Sequence, residues 1–441
     1  MEPTRQMEIQ LGHMCNNRCV FCVSGQRTEM REAFPLAADP ILEKVREGFD
    51  QGMRKITILG GEPTIQPEFM TVVRYAVGLG FEEIVIFTNG VKTAREGFLD
   101  EILATGGNFT FRLSFQGANM LAHERTTKKL GSFGRLVETM KNIRARGQRL
   151  TVNMCVVRSN FESVGDFPSL ILPHGATQLH LDMIRPLDAG VRTEEEMRAM
   201  LPRYSDLVPH LERMIAGFPD GFDVNVGNLP YCVAPHLARF IHHDGEETMT
   251  VAVDDQDALS EGWDKYHVKR RDKLKKASCR DCLFDEECSG VFETYRAFYG
   301  LDELVPVTAL ALREADPSLR LFTVHLRPHL RNLDGWTPPA PFGAPVVVTN
   351  SIEGEARLRF RSPDGDVVVA LRRPGAGGVG AAMSWPRDGR RCLGFASRKI
   401  IDLKPIRATH HCRICSRDVR SFWSIISCSD RIMRPAAPPA R

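Results

Sequence analysis

Three cysteines fall within the eight residues Cys15-Asn16-Asn17-Arg18-Cys19-Val20-Phe21-Cys22, spaced C-x3-C-x2-C with an aromatic directly before the last. Thiolates this close in one loop can hold three corners of a [4Fe–4S] cube, since such clusters are usually ligated by cysteine. A cube held by protein alone needs four, so three leave one iron with an open position. A zinc knuckle is the alternative that this spacing by itself leaves standing. Further on, Gly60-Gly61-Glu62-Pro63-Thr64 follows an apolar run. Its glycines let backbone approach a ligand closely, and its glutamate offers an acceptor to an ammonium group.

Together the two stretches resemble the radical S-adenosylmethionine (SAM) superfamily. The resemblance implies that the amino and carboxylate groups of SAM chelate the open iron. One electron from the cluster then splits the sulfonium into methionine and a 5′-deoxyadenosyl radical, which takes hydrogen from a substrate carbon. It places Phe21 near the adenine and gives the SAM amino group to the turn of Gly60, Gly61 and Glu62. It also marks Ser114 and Gln116, at the end of a fourth strand, and Thr88 and Asn153, at or along strands three and five, as SAM contacts. For each of these four, a polar residue satisfying local backbone is the alternative. His123, Glu124 and Arg125 read either as substrate contacts or as a solvated turn. Cys155, mid-strand, reads as a small buried apolar residue.

The elements that must position these groups alternate. Strands are expected at Met7 to Leu11, Lys55 to Leu59, Glu83 to Phe87, Phe109 to Phe115, Leu150 to Val157 and Gln178 to Ile184. Helices fall between them: one opened by an Asp39 cap and Pro40, one from Pro67 stopped by Gly80, one around Glu96 to Ala104, and one capped by Ser132. Six strands alternating with helices predict a parallel α/β fold with right-handed crossovers. The informative loops lie at strand carboxyl ends, the face where such folds place active sites. The resemblance makes this a (β/α)6 partial barrel of the TIM type over residues 1–190.

Beyond Pro186 the alternation is expected to stop, with a charged helical bridge from Arg192 to Phe218. Cys232, Cys279, Cys282 and Cys288 then form a quartet, C…C-x2-C-x5-C. Beside such a core it looks like an auxiliary [4Fe–4S] extension of the SPASM or twitch type, with structural zinc as the alternative. This cysteine-rich domain is placed at 191–335, and helical packing accounts for its Tyr295, Phe298 and Tyr299. A proline cluster at 338–341 opens a small β-containing module, 336–441, with strands at Val346 to Val348, Ala356 to Phe360 and Val367 to Leu371 and a hairpin at Ser362 to Gly365. Gly375 to Gly380 lacks phosphate-cradling spacing. Cys392, Cys412, Cys415 and Cys428 form a second quartet, read as a further cluster with zinc as the alternative.

The chain has 441 residues, twelve cysteines and a net charge of +3, so its charge carries no bias toward polyanions. From Arg390 onward twelve Arg and Lys face three Asp, but a solvated surface explains that tail better than a nucleic-acid partner. No apolar run reaches membrane-spanning length and no signal peptide is read, so the cysteines argue for metal ligation in a reducing cytoplasm. The expected partners are an electron donor such as flavodoxin or ferredoxin and a peptide or protein substrate. Alternatives are a small molecule, RNA, or a non-enzymatic Fe–S or zinc protein that binds nucleic acid.

Overall fold

The computed structural model describes residues 5–245, 247–318, 320–331, 345–347, 355–361, 367–375, 378–384, 391–397 and 404–405. The chain forms two compact units, Met1–Ala277 with Glu287–Val305, and Ser278–Glu286 with Pro306–Arg441. The stretch 191–335, expected as one region, is shared between them.

In the first unit the six expected strands form, alternating with helices: β1 (Gln6–Gln10), α1 (Val23–Glu29), α2 (Ala38–Asp50), β2 (Lys55–Leu59), α3 (Phe69–Leu79), β3 (Glu83–Thr88), α4 (Glu96–Leu103), β4 (Phe109–Ser114), α5 (Met120–Thr127), α6 (Ser132–Ala145), β5 (Arg149–Val156), α7 (Phe167–Ile171) and β6 (Gln178–Met183). Gly80 ends α3 at φ 90°, as expected of a left-handed cap. Two caps differ from the sequence reading. Ala37 rather than Asp39 precedes α2, and Gly131, at φ 75°, precedes α6 with Ser132 as its first residue.

The alternation then continues rather than stopping. Helices α8 (Glu194–Met200) and α9 (Tyr204–Gly217) lead to β7 (Asp223–Gly227), β8 (Ile241–His242), β9 (Thr248–Val251), β10 (Trp263–Asp264) and α10 (Lys265–Arg271). The sheet order is β10-β9-β1-β2-β3-β4-β5-β6-β7-β8, with β1 to β8 mutually parallel, β9 parallel to β1 and β10 antiparallel to β9. All four added strands have two to five residues, too few for a period-2 pattern to stand out.

One face of the sheet is apolar and packs under the helices: Met7, Ile9, Ile56, Ile58, Ile84, Ile86, Phe111, Leu113, Val152 and Leu181 are all fully buried. The other face is polar. Glu8, Lys55, Glu83, Arg112, Thr151, His180, Asn225 and His242, from eight different strands, line one cavity of about 720 Å³. Residues on eight parallel strands can share a cavity only if the sheet curls. Strands β8, at one edge, and β9, next to the antiparallel β10 at the other, are joined by residues 243–247 alone, a reach of at most about 20 Å. Helix α10 ties that opening, with Lys265 Nζ 2.7 and 2.9 Å from the Glu8 carboxylate oxygens on β1 and Lys269 Nζ 3.9 Å from Asp182 on β6.

The same unit ends with a short ribbon of β11 (Lys273–Leu274) and β12 (Val291–Phe292) and with α11 (Glu293–Tyr299). Tyr295 stacks on Tyr204 of α9 at 3.9 Å between centroids, which gives it the packing role expected of it. The second unit holds α12 (Ala309–Ala315), α13 (Phe322–Arg331) and an antiparallel sheet of β13 (Pro345–Val347), β14 (Glu355–Phe360), β15 (Val367–Gly375), β16 (Gly378–Ser384), β17 (Arg391–Ser397) and β18 (Lys404–Pro405). Its first three strands match the expected ones. Gly375 pairs with Gly378, so the glycine-rich stretch is a hairpin end. Among the described residues no helix is long and apolar enough to cross a membrane.

Candidate functional site

The three-cysteine loop leaves the carboxyl end of β1 and is held from several sides. Arg18 N and Val20 N donate to Thr127 O and Thr126 O of α5 at 2.8 and 3.0 Å. Cys22 N donates to Cys19 O (3.1 Å), and Cys22 O accepts from Gln26 N in the first turn of α1. Thr28 Oγ1 accepts from Cys15 N and donates toward His13 O and Ser24 O. A Cβ on Gly25 would lie 3.2 Å from Cys19 N, so α1 is pressed against the loop. Asn17 N donates to Cys15 Sγ at 3.4 Å, and Asn89 Nδ2 lies 3.9 Å from the same sulfur.

Burial, then the nearby Glu62 carboxylate, pushes the Cys15 thiol up to about 12. Burial and the neighbouring Cys22 and Cys15 raise Cys19 well above its usual value. Three mutually repelling, half-enclosed thiols with N–H donors on Cys15 fit a cationic iron centre, which would hold them as thiolates. Among the described residues no three His, Cys, Asp or Glu side chains gather about one ion's position. A cube does not ask for that, because each thiolate binds its own iron.

The turn after β2 locks onto this loop. Gly61 N donates to Gly12 O (2.7 Å) and Glu62 N to Met14 O (2.9 Å). A Cβ on Gly61 would overlap the carbonyl oxygens of His13 and Met14, and one on Gly60, at φ 151°, would crowd Gly12 O. These glycines therefore serve first the approach of two loops to each other, where the sequence suggested approach to a ligand. Glu62 is 1% exposed. Its Oε1 accepts from Thr64 N (3.2 Å), Thr64 Oγ1 (2.5 Å) and Thr88 Oγ1 (2.5 Å), and its Oε2 from Asn89 N (2.7 Å). Burial pushes its carboxyl up, against these four donors. One carboxylate thus joins the ends of β2 and β3, and Asn89 carries the connection on to Asn16 (2.6 Å) and Cys15.

Phe21 lines the large cavity, together with Cys22, Asn153 and Cys155. Asn153 pairs in register with Ser114 and with His180, and its amide makes no hydrogen bond among the described residues. Ser114 Oγ accepts from Gln116 Nε2 at 2.6 Å, while Gln116 Oε1 accepts from Cys155 N at 3.1 Å. Thr88 and Gln116 are buried in protein contacts; Asn153 faces open space.

Two other sequence readings change. His123, read as a substrate contact or solvated turn, is fully buried, edge-on to Phe115 and Phe133, with Nδ1 accepting from Gln116 N at 3.0 Å. It is a core histidine. Cys155, read as inert core, is half-buried on the cavity wall, where burial and then Asp182 push its thiol well up.

Burial lowers His123 to about 4. The unfolded chain therefore binds more protons between the ordinary histidine value and about pH 4. The stability this neutral ring contributes is complete above about pH 6.5 and is lost as pH falls. Urea unfolding of wild type and His123→Leu should show the wild type losing about 2 kcal/mol more than the variant between pH 7 and pH 5. Equal losses would place the ring in water-like surroundings.

The charged cavity wall was not singled out from sequence, although a signal existed. Parallel strands covered on both faces should be continuously apolar, yet β1, β4 and β6 alternate with Glu8, Arg112, His180 and Asp182. Burial alone would raise the Glu8 carboxyl; Lys265, with Arg112 and Lys269 beyond it, holds it below the usual range. Asp182 also lies well below, burial being outweighed by Lys269 and by His180 at 2.8 Å. Burial and His180 press His242 down to about 4, so it is neutral near pH 7.

Of the first quartet, Cys232 and Cys288 belong to the first unit and Cys279 and Cys282 to the second. Cys288 Sγ accepts from Gly290 N (3.4 Å), and Cys282 Sγ from Val307 N (3.3 Å). Cys392 lies in β17; Cys412, Cys415 and Cys428 lie outside the described residues.

Comparison with known proteins agrees with this geometry. Residues 9–169 match the family described as the Radical SAM superfamily. The chain therefore carries a radical SAM domain, and it is an enzyme of that class, whose domain implies a [4Fe–4S] cluster and SAM. It is 26% identical over 319 residues to the mycofactocin maturase MftC of Mycobacterium ulcerans, covering 66% of this chain and 84% of that one. It is 28% identical over 198 residues to a probable GTP 3′,8-cyclase of Saccharolobus islandicus, covering 43% of this chain and 59% of the cyclase. Among solved structures, SuiB of Streptococcus suis with bound S-adenosylmethionine aligns with a TM-score of 0.48 and 15% identity, over 67% of this chain and 74% of SuiB.

Proposed function

We propose that this radical SAM enzyme modifies a peptide or protein, using Cys15, Cys19 and Cys22 as cluster ligands. The observation that carries the site is the continuous link from Cys15 through Asn89 to Glu62, which starts in the same loop whose Phe21 and Cys22 line the large cavity. When bound, the cluster and SAM supply one-electron reductive cleavage and removal of a substrate hydrogen. The protein's part is to bind, orient and exclude water.

In this reading the Asn17 and Asn89 donors steady the Cys15 sulfur. Glu62 holds the β2 and β3 turns and keeps room on Oε2, which has one protein donor, for the cofactor ammonium. Gly60 and Gly61 bring that turn against the cluster loop. Phe21 covers the adenine. Asn153, with Ser114 beside it, meets the ribose or carboxylate, and Thr88 and Gln116 support these contacts from behind.

The electron comes from a carrier such as flavodoxin or ferredoxin. Cys19 lies on a second cavity of about 500 Å³, bordered by Arg18, Lys128 and Arg192 and by Glu29 and Glu196, which gives a route toward the cluster loop. The two quartets are assigned, on spacing alone, to auxiliary [4Fe–4S] clusters, with zinc as the alternative at the C-terminal one. Free cysteines among the described residues suit a reducing cytoplasm.

The similarity to a maturase over most of that protein's length supports the peptide substrate. A small-molecule substrate is the second reading, favoured by the likeness to a GTP cyclase. The deciding experiment is anaerobic reconstitution and reduction with SAM. Release of 5′-deoxyadenosine is expected, and a mass change should appear on a peptide encoded beside this gene. No release with dithionite or a protein reductant, with or without candidate substrates, would overturn the radical reading. A mass change on a nucleotide and on no peptide would move the substrate to the second class.

A further inference from the structure

Five of the six Lys and Arg side chains that line the large cavity are matched with an acid. Lys265 holds Glu8, Lys269 faces Asp182, Lys55 and Arg149 share Glu83, and Arg185 holds Asp272 at 2.7 Å. Arg112 is the exception among the described residues. It projects from the middle of β4, its Nε is buried without a partner, and its guanidinium makes no hydrogen bond or ion pair. Its near neighbour is the Phe87 ring, with the guanidinium carbon 5.8 Å from the centroid.

A guanidinium deprived of part of its water, whose pull on Glu8 is shared with the Lys265 that bonds that carboxylate, is costly unless a ligand supplies a partner of its own. Its planar fork of donors matches a carboxylate. The surrounding charge agrees. Glu8 and Asp182 are each matched by a lysine of α10, Lys265 and Lys269, so neither carboxylate is left as a partner for Arg112 alone. The same cavity reaches Phe21 and Cys22 at its other end. Along β4, Arg112 stands two residues before Ser114, about 7 Å by strand rise.

We propose that Arg112 is the anchor for a carboxylate of the substrate, seated in the barrel lumen beneath the SAM-binding face. The anchor makes Arg112 a specificity determinant: it selects substrates that carry a carboxylate a short distance from the carbon that loses hydrogen. Only the source of that carboxylate, a chain terminus or an Asp or Glu side chain, rests on the peptide reading above.

The test measures binding, by ligand-observed NMR titration of the anaerobically reconstituted full chain. Four probes are compared: N-acetyl-dialanine with a free terminal carboxylate, its terminal amide, N-acetyl-alanyl-aspartate with its main-chain terminus amidated and its side-chain carboxylate free, and pentanoate. At least one carboxylate probe should bind about tenfold or more tightly than the amide. Arg112→Gln should erase that preference, while Arg112→Lys, which keeps the charge and loses the fork, should keep part of it.

Preference for the first probe over the third assigns a chain terminus; the reverse assigns a side chain. Arg112-dependent binding of pentanoate with none of the peptides keeps the carboxylate anchor and removes the peptide. Equal binding of amide and carboxylates to wild type, or a preference that survives in Arg112→Gln, overturns the proposal. If Arg112→Gln does not fold, a preference in Arg112→Lys as large as in wild type overturns it instead.

Discussion

Replacing Cys15, Cys19 and Cys22 together by alanine should abolish 5′-deoxyadenosine release and remove about four iron atoms per chain, leaving all other metal in place. The loss is complete rather than partial because all three thiolates come from one loop, and their removal leaves none of the three corners of the cube held. The wild-type content sets the scale. About twelve iron with matching sulfide would mean three cubes, and about eight with one zinc would make the C-terminal quartet structural. About four would leave the core cluster alone. A triple variant that keeps both its full iron and SAM cleavage would remove the loop from the chemistry.

Glu62→Gln should be the most damaging near-isosteric change at the site. Two backbone N–H groups, of Thr64 and Asn89, donate to different oxygens of the Glu62 carboxylate. Glutamine has one oxygen, so whichever way its amide turns, one of these buried donors faces an NH2 group. The threonine hydroxyls can rotate; a backbone N–H cannot. The unpaired donor should cost about 1–3 kcal/mol in urea unfolding. The loss of charge should weaken SAM binding in calorimetry while the cluster iron stays. Wild-type stability would contradict the hydrogen-bond account, and wild-type SAM affinity would contradict the ammonium assignment.

The site was legible in sequence where chemistry forces residue type. Cysteines at C-x3-C-x2-C and a glycine pair before a glutamate are hard to explain otherwise, and six strands showed through their apolar runs. What stayed hidden depends on neighbours distant in sequence. Asn89 is an ordinary turn residue until Glu62 and Cys15 are brought to its two sides. The functions of Gly60 and Gly61 could not be separated, because a chain crossing at Gly12 to Met14 and a ligand ask for the same missing Cβ. Cys155 and His123 exchanged roles because alternation shows that two faces exist but not which one is the lumen, and His123 sits on a helix read as a loop. Strands β7 to β10 are short and gain their hydrogen bonds from strands already in place.

Strand β9 pairs with β1 across 242 residues of chain, from Gln6 to Thr248. On a ribosome adding 5–20 residues per second, β1 waits roughly 12–50 s for that neighbour. Through that interval its outer row of N–H and C=O groups is open to any passing strand. Shortening the chain to its six expected strands would make the exposure permanent. A fragment of residues 1–190, although it spans the whole matched radical SAM domain, is therefore a poor candidate for soluble expression, and the nascent enzyme is a natural client for a chaperone that shields strand edges.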